Sequence, residues 1–381
     1  MINVFGSSVG PEELQNVAES INNQWMGMGP KTKEFERRMS ERLSPCSFVL
    51  TDSGSNSLYL ALTLLGLPAG SEVIIPSFTW VSCAQAIMLA GCKPVFCDVD
   101  LRTQNLTAET VKACITKDTS AIMVVHYAGL PVDMDPILEL GFPVVEDAAH
   151  AVDSIYKGRR CGTLGTVSAF SFDAVKNLSM GEGGGVASKN ADYMARASIL
   201  RYSGIGKSGF EASSHGKERW WEYNIVEPFI KMNPSDIAAG IGLAQLDKLD
   251  KLQTYRKKIW DIYQSEFKNL DWLITPAEAN EGDRHSYFTY FIRVPGINRN
   301  QFAQYLLDKG IYTTLRYHPL HLNDLYHSDK SLPNCEMLNE DGLNIPLHPS
   351  LSIEDADYII SKSRHIIIPN CLVSDMPVET N

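Results

Sequence analysis

The chain has 381 residues, 44% of them hydrophobic and 21% charged, with a net charge of −11. Such a length suits a large domain joined to a smaller one, and the composition is that of an ordinary globular protein. The acidic balance argues against a nucleic-acid binder, which needs a basic face for phosphates.

No apolar run reaches the roughly 18 residues of a membrane span. Met1 to Phe5 lack the basic-then-apolar pattern of an export signal, so a cytoplasmic protein is expected. The eight cysteines include no CxxC pair. Cys83, Cys92, Cys97 and Cys114 fall in apolar segments, which predicts free buried thiols and no metal site.

Residues 11–43 carry apolar positions at helical spacing, broken by Gly27-Met28-Gly29-Pro30, a turn between two helices. From about residue 48 to 190, short β-branched runs alternate with longer amphipathic ones. Strands are predicted at 73–75, 94–99, 121–126, 144–146, 169–172 and 185–188, with helices such as 55–65 and 81–90 between them. This alternation predicts an α/β fold with a mostly parallel sheet, whose ligands sit at the carboxyl ends of strands.

Residues 205–222 are polar and glycine-rich and read as a loop. A long helix is predicted over 235–270, with Ile237, Ile241, Leu243, Leu246, Leu249 and Leu252 near one face. A strand at 285–293, a helix at 300–309 and a strand at 312–316 follow, making a smaller α+β unit. The expected division is 1–250 and 251–381, with a frayed tail at 374–381.

The chemistry concentrates in a few segments. Thr51-Asp52-Ser53-Gly54-Ser55-Asn56 leads small residues into a helix start, where backbone N–H groups face an anion. From this segment alone a plain serine N-cap is the better reading, and the residues below reverse it. Trp80 stands just past a strand end, where it can lie flat on a planar heterocycle or simply pack in the core.

Asp147 ends an apolar strand, as an ion partner for a buried cation or as a helix cap. His150 follows three residues on. Lys176 comes four residues after the strand 169–172 and just before Gly181-Glu182-Gly183-Gly184. A lysine near a strand-end aspartate and a small hydroxyl, Ser171, can hold pyridoxal 5′-phosphate (PLP). The lysine amine would make the imine, the aspartate would face the ring nitrogen and the serine would meet the phosphate.

Together these segments resemble the DegT/DnrJ/EryC1/StrS family of sugar aminotransferases, over nearly the whole chain. Glu146-Asp147-Ala148-Ala149-His150, Phe170-Ser171-Phe172 through Lys176 to GEGG, and Ala238-Ala239-Gly240-Ile241-Gly242-Leu243 carry the resemblance best. Thr79-Trp80-Val81-Ser82, His126-Tyr127-Ala128-Gly129 and His150 are similar to the branch of UDP-4-amino-4-deoxy-arabinose aminotransferase.

The resemblance implies a type I aminotransferase fold and a homodimer with shared active sites. It implies Lys176 and Asp147 as catalytic residues, and Gly54, Ser55, Asn56, Trp80, His150 and Ser171 around the cofactor. Asn233 would reach the phosphate across the dimer interface. Met28, Lys231, Tyr317 and His318 are the expected substrate contacts. Phe229-Ile230 before Lys231 and the stretch Arg316 to His321 depart from the family pattern.

The expected reaction moves an amino group from glutamate to a keto group, at C4, of a nucleotide-linked deoxysugar. Amination at C3 or at an aldehyde carbon is the alternative. A dehydratase of the family would carry His where Lys176 stands, a non-catalytic homologue would lack Lys176 or Asp147, and no G-x-G-x-x-G supports a dehydrogenase.

Overall fold

The computed structural model describes residues 1–206 and 221–364. Most of the loop expected at 205–222, and all of the tail expected at 374–381, lie outside the described residues.

Helices α1 (Pro11–Asn22) and α2 (Pro30–Arg42) flank the expected turn. Each starts on a proline, whose fixed φ suits a first helical position and whose missing N–H would be unpaired there anyway. Next come β1 (Ser47–Thr51), α3 (Gly54–Leu65), β2 (Glu72–Pro76), α4 (Val81–Leu89), β3 (Lys93–Cys97), α5 (Ala108–Lys112), β4 (Thr119–Val125), α6 (Met134–Leu138) and β5 (Val144–Asp147). A short ribbon, β6 (Ile155–Tyr156) with β7 (Arg159–Arg160), precedes β8 (Val167–Ser171), β9 (Gly184–Ser188) and α7 (Ala191–Arg201).

Seven strands form one sheet in the order β1-β9-β8-β5-β4-β2-β3. Pairing is parallel from β8 through β5, β4 and β2 to β3, whereas β9 runs against both β8 and β1. Successive strand residues point to opposite faces, and here both kinds are buried, so the sheet is covered on both sides. Strand β1 is absent from the sequence-based strands. It is an edge strand whose partner, β9, lies far along the chain, so nothing local announces it.

Helix α8 (Asp236–Phe267) runs for 32 residues, about 48 Å at the usual rise. Ser235 caps it, its hydroxyl accepting from the Ala238 N–H at 3.1 Å. Its apolar face differs from the expected one. Ala239, Gly240, Gly242 and Ala244 are buried with Leu249 and Leu252, whereas Ile237, Ile241, Leu243 and Leu246 are half-buried. The cause is close approach: a Cβ on Gly242 would fall 2.1 Å from Met180 Cε.

The second half of α8 enters a separate apolar cluster, where Ile259, Trp260, Tyr263 and Phe267 pack with Phe302, Leu306, Leu343, Ile345 and Ile359. Its other elements are β10 (Tyr290–Arg293), α9 (Arg299–Asp308), α10 (Pro333–Asp341), β11 (Gly342–Ile345) and α11 (Ile353–Arg364).

Only 290–293 of the strand expected at 285–293 pairs in a ribbon, with β11. The preceding residues bond elsewhere. The Ser286 N–H donates to Gly129 O at 3.2 Å and the Phe288 N–H to Ala128 O at 3.0 Å. The strand expected at 312–316 reduces to a single bridge between Thr314 and Asn344. There the Arg316 N–H turns to the Asn344 side chain, at 2.7 Å from Oδ1, so no ladder continues.

Among the described residues no helix is long and apolar enough to cross a membrane. Seven described cysteines are free, all buried except the half-buried Cys114.

Candidate active site

The carboxyl ends of β2, β4, β5 and β8 and the start of α3 border a cavity of about 430 Å³. Its walls include Gly54, Ser55, Trp80, Asp147, His150, Ser171, Lys176, Arg316 and Tyr317. That volume is in the range of small-molecule sites.

Strand alternation separates the two acids that end β5. Asp147 faces the cavity, its Oδ1 accepting the Ala149 N–H at 2.9 Å and its Oδ2 the Cys83 thiol at 3.1 Å. Glu146 faces away and serves as an internal tie. It accepts the N–H groups of Gly162, Leu164 and Gly165 at 2.6–2.7 Å and pairs with His126 at 3.0 Å. Burial opposes both charges, yet the surroundings win. His126 is raised to about 10 by Cys161 and Glu146, and Glu146 is lowered by His126 and the amides.

Lys176 follows β8 by a tight turn, in which the Val175 N–H donates to Asp173 Oδ1 at 3.0 Å and the Lys176 N–H to Asp173 O at 2.9 Å. Its ammonium lies 4.6 Å from the centroid of the Phe288 ring. Burial first, and then the Arg316 charge, lower its pKa to about 8, against the pull of Asp147 and Asp173.

A column of rings backs this lysine. Phe5 stacks on Phe288 at 5.9 Å, Phe288 on His150 at 4.1 Å, and His150 lies parallel to Tyr317 at 6.1 Å. Burial, with the charges of Lys176 and Arg316, holds His150 well below the usual imidazole range. Its Nε2 meets the Tyr317 hydroxyl at 3.1 Å, and its buried Nδ1 has no partner among the described residues.

The start of α3 closes the other side. Ser53 caps the helix, its hydroxyl accepting the Asn56 N–H at 3.2 Å. Among the described residues the N–H groups of Gly54 and Ser55 have no acceptor, as expected for a first helical turn awaiting an anion. A Cβ on Gly54 would sit 2.6 Å from the Ser171 Cβ, so the glycine lets the serine hydroxyl reach this amide cradle. The cradle, the unpartnered His150 nitrogen, the buried Asp147 and a lysine of lowered pKa fit PLP.

Of the expected site residues, the structure brings Gly54, Ser55, Trp80, Asp147, His150, Ser171, Lys176 and Tyr317 together around one cavity. Trp80 caps α4 and stays 53% exposed, as a wall rather than core. The remaining residues lie elsewhere. Asn56 turns its side chain to Asp52 Oδ1 at 2.7 Å, and the exposed His318 meets Asn339 at 3.0 Å. Lys231 is exposed, bridging to Tyr202, and Met28 is half-buried in the turn before α2. Asn233 is half-buried, with a buried Oδ1 lacking a partner among the described residues.

Sequence reasoning missed Phe5, Cys83 and Phe288, and reached Arg316 only as part of the substrate loop expected at 316–321. Cys83 sits in an apolar run, and Phe5 and Phe288 come from segments whose spacing carries no sign of the cavity.

Residues 7–364 match the model of the DegT/DnrJ/EryC1/StrS aminotransferase family. The dTDP-4-dehydro-2,3,6-trideoxy-D-glucose 4-aminotransferase of Saccharopolyspora spinosa is 36% identical over 364 residues, 94% of each chain. The crystal structure of the aminotransferase TlmJ from Streptoalloteichus hindustanus is similar at a TM-score of 0.89 and 38% identity, with 96% of this chain and 98% of that one covered. The PLP form of Spr1654, a putative sugar aminotransferase from Streptococcus pneumoniae, gives 0.86 and 31%, with 94% and 96% covered.

Matches of this extent cover nearly all of the described fold, and the type I aminotransferase architecture explains why the lysine, the aspartate and the amide cradle meet at one edge of the sheet. On both grounds the chain belongs to the DegT/DnrJ/EryC1/StrS aminotransferase family of PLP-dependent enzymes.

Proposed function

We propose that this enzyme carries an amino group from glutamate to the C4 ketone of a nucleotide-linked deoxysugar. The observation that carries the reading is the cavity shared by Lys176, Asp147 and the Gly54–Ser55 amides. The C4 position is supported by the 4-aminotransferase activity for which the Saccharopolyspora relative is named, and amination at C3 or an aldehyde carbon is its alternative.

When bound, PLP supplies an electron-withdrawing ring and the aldehyde that accepts and returns nitrogen. Asp147 would pair with the ring nitrogen, keeping it protonated. Ser171 and the amides of Gly54 and Ser55 would hold the phosphate, and Trp80 and His150 would flank the ring. Lys176 would anchor the aldehyde and, once released, move a proton on its Nζ between the substrate carbon and the cofactor carbon. With a pKa of about 8 it spends part of its time as the free amine near neutral pH, as a general base should.

We read the working unit as a homodimer. Trp25, Met26, Tyr223, Ile225, Val226 and Ile230 are exposed large apolar residues. The chain six residues past Ile230 returns to the first stretch, where the Asp236 N–H donates to Met26 O at 3.0 Å. Such a patch suits a partner subunit. Asn233, Lys231 and Met28 stand beside it, which supports their serving the neighbouring site. We keep 1–250 and 251–381 as the domain division, with α8 shared between them.

The test is to add glutamate to the PLP-loaded protein and then offer a panel of keto-sugar nucleotides. The cofactor's visible absorbance should fall with glutamate and return with the correct sugar, and mass spectrometry should show which sugar gains nitrogen. A protein that binds no PLP, or full activity in Lys176→Ala, defeats the reading.

A further inference from the structure

The cavity contains a second cation that the proposed chemistry leaves without a role. Arg316 lines the cavity from the segment after α9 and is half-buried. Its backbone is fixed, since its N–H donates to Asn344 Oδ1 at 2.7 Å and its carbonyl accepts the Tyr127 hydroxyl. Its guanidinium lies 3.7 Å from the centroid of Phe5, 5.6 Å from that of Phe288 and 5.9 Å from that of Tyr317. It favours the ionised Tyr317 hydroxyl, a group that burial keeps neutral with a pKa of about 12.

Among the described residues no carboxylate lies within ion-pair distance of Arg316. A charge partly withdrawn from water with no counter-ion beside it favours an incoming anion. Stacked on Phe5 and with the Tyr317 hydroxyl as a hydrogen-bond partner, the five-donor guanidinium keeps further N–H groups, and its planar fork matches the two oxygens of a carboxylate.

The position selects which anion. Lys176 Nζ and the Arg316 guanidinium share one ring, at 4.6 Å and 5.6 Å from the Phe288 centroid. An amino-acid donor carries its α-carboxylate one bond from the carbon that reacts. The diphosphate of a nucleotide sugar is held from a C4 ketone by the width of the sugar ring. A cation in the same cavity, whose charge is felt at the reactive lysine, fits the former. We propose that Arg316 is the anchor for the α-carboxylate of the amino donor, an inference that rests on the aminotransferase reading above.

The test uses the full-length, PLP-loaded protein and follows the cofactor's absorbance after rapid mixing. The two donors are L-glutamate and 4-aminobutyrate, which lacks the α-carboxylate. In Arg316→Gln the half-saturating glutamate concentration should rise about a hundredfold, while the 4-aminobutyrate rate stays within about threefold of wild type. Arg316→Lys, which keeps the charge but not the fork, should fall between. Calorimetric binding of 2-oxoglutarate should weaken in parallel, and binding of UDP and dTDP should not change.

Glutamate saturation within about threefold of wild type in Arg316→Gln overturns the inference. So does an equal loss with both amines, which marks a structural role, or a loss confined to the nucleotides, which marks a diphosphate site. If Arg316→Gln fails to retain PLP, Arg316→Lys decides, and it must lose at least about tenfold with glutamate alone. A wild-type protein whose absorbance ignores glutamate removes the donor assignment and this inference together. A wild type and Arg316→Gln that respond alike remove this inference only.

Discussion

The thiol of Cys83 donates to Oδ2 of Asp147 across 3.1 Å, from the first turn of α4 to the end of β5. Burial and the neighbouring carboxylate push this thiol well above its usual range, so it stays protonated as a donor. With the Ala149 amide on Oδ1, it fixes the plane of the carboxylate that is to face the cofactor ring. Cys83→Ala removes one of these two holds. It should lower kcat about three- to tenfold with PLP still bound. Asp147→Asn should cost at least about a thousandfold. Steady-state kinetics on holoenzyme of matched cofactor content checks both.

Glu146 stands beside Asp147 but ties down the 162–165 turn through three amides and His126. Glu146→Ala leaves four buried donors unpaired and should destabilise the fold by about 3–5 kcal/mol. Glu146→Gln should cost less, since it keeps an acceptor. Denaturant midpoints give the measurement, and PLP absorbance in the folded fraction should remain that of wild type.

The amine of Lys176 titrates near 8 in the protein without cofactor. Only the free amine attacks the aldehyde, so the rate of PLP capture should rise with pH through about 8 and level off above it. Stability has the same sign. Between about 8 and the ordinary 10.5 the unfolded chain holds a proton that the folded chain has shed, so this group makes folding more favourable as pH rises. In Arg316→Gln the midpoint of the capture profile should move up, because a neighbouring positive charge is gone. Stopped-flow absorbance across the pH range tests this, and an unchanged midpoint would show that the two cations do not interact.

Gly242 of α8 rests on Met180 and Phe35. Gly242→Val forces the helix off the loop that follows Lys176, and should cost about 1–3 kcal/mol by overpacking, despite a better helix former. Thermal unfolding of the holoenzyme reads the loss.

If Asn233 serves the neighbouring site, Lys176→Ala and Asn233→Ala subunits should complement each other. Each mixed dimer then has one site with both defects and one with neither. Equal mixing after subunit exchange should restore roughly a quarter of wild-type activity from two weak or inactive parents. No recovery, with exchange shown by native mass spectrometry, places Asn233 in its own subunit's site.

The part of the site that could be read from the sequence is the part built on strand ends. Asp147, Ser171 and Lys176 each follow an apolar run within a few residues, and parallel strands bring such positions to one edge whatever the details. The Phe288 contribution was not legible, and Arg316 was legible only as a member of the expected substrate loop. Residues 285–289 alternate like a strand, but the Ser286 and Phe288 amides go to Gly129 and Ala128, a tertiary choice that periodicity does not encode. The strand expected at 312–316 failed for a related reason, since a side-chain amide, Asn344, took the place of a ladder partner. The buried face of α8 was misjudged because small residues, rather than large apolar ones, mark the closest helix contacts.

The ring column has a consequence for how the protein is made. Phe5 leaves the ribosome well before its stacking partner Phe288 and the terminal ring Tyr317, which lie far along the chain. At translation speeds of about 5–20 residues per second, Phe5 waits roughly 15–60 s for that wall to exist. A nascent chain lacks a finished cavity throughout that interval, so the vitamin is expected to be captured only after synthesis has passed Tyr317.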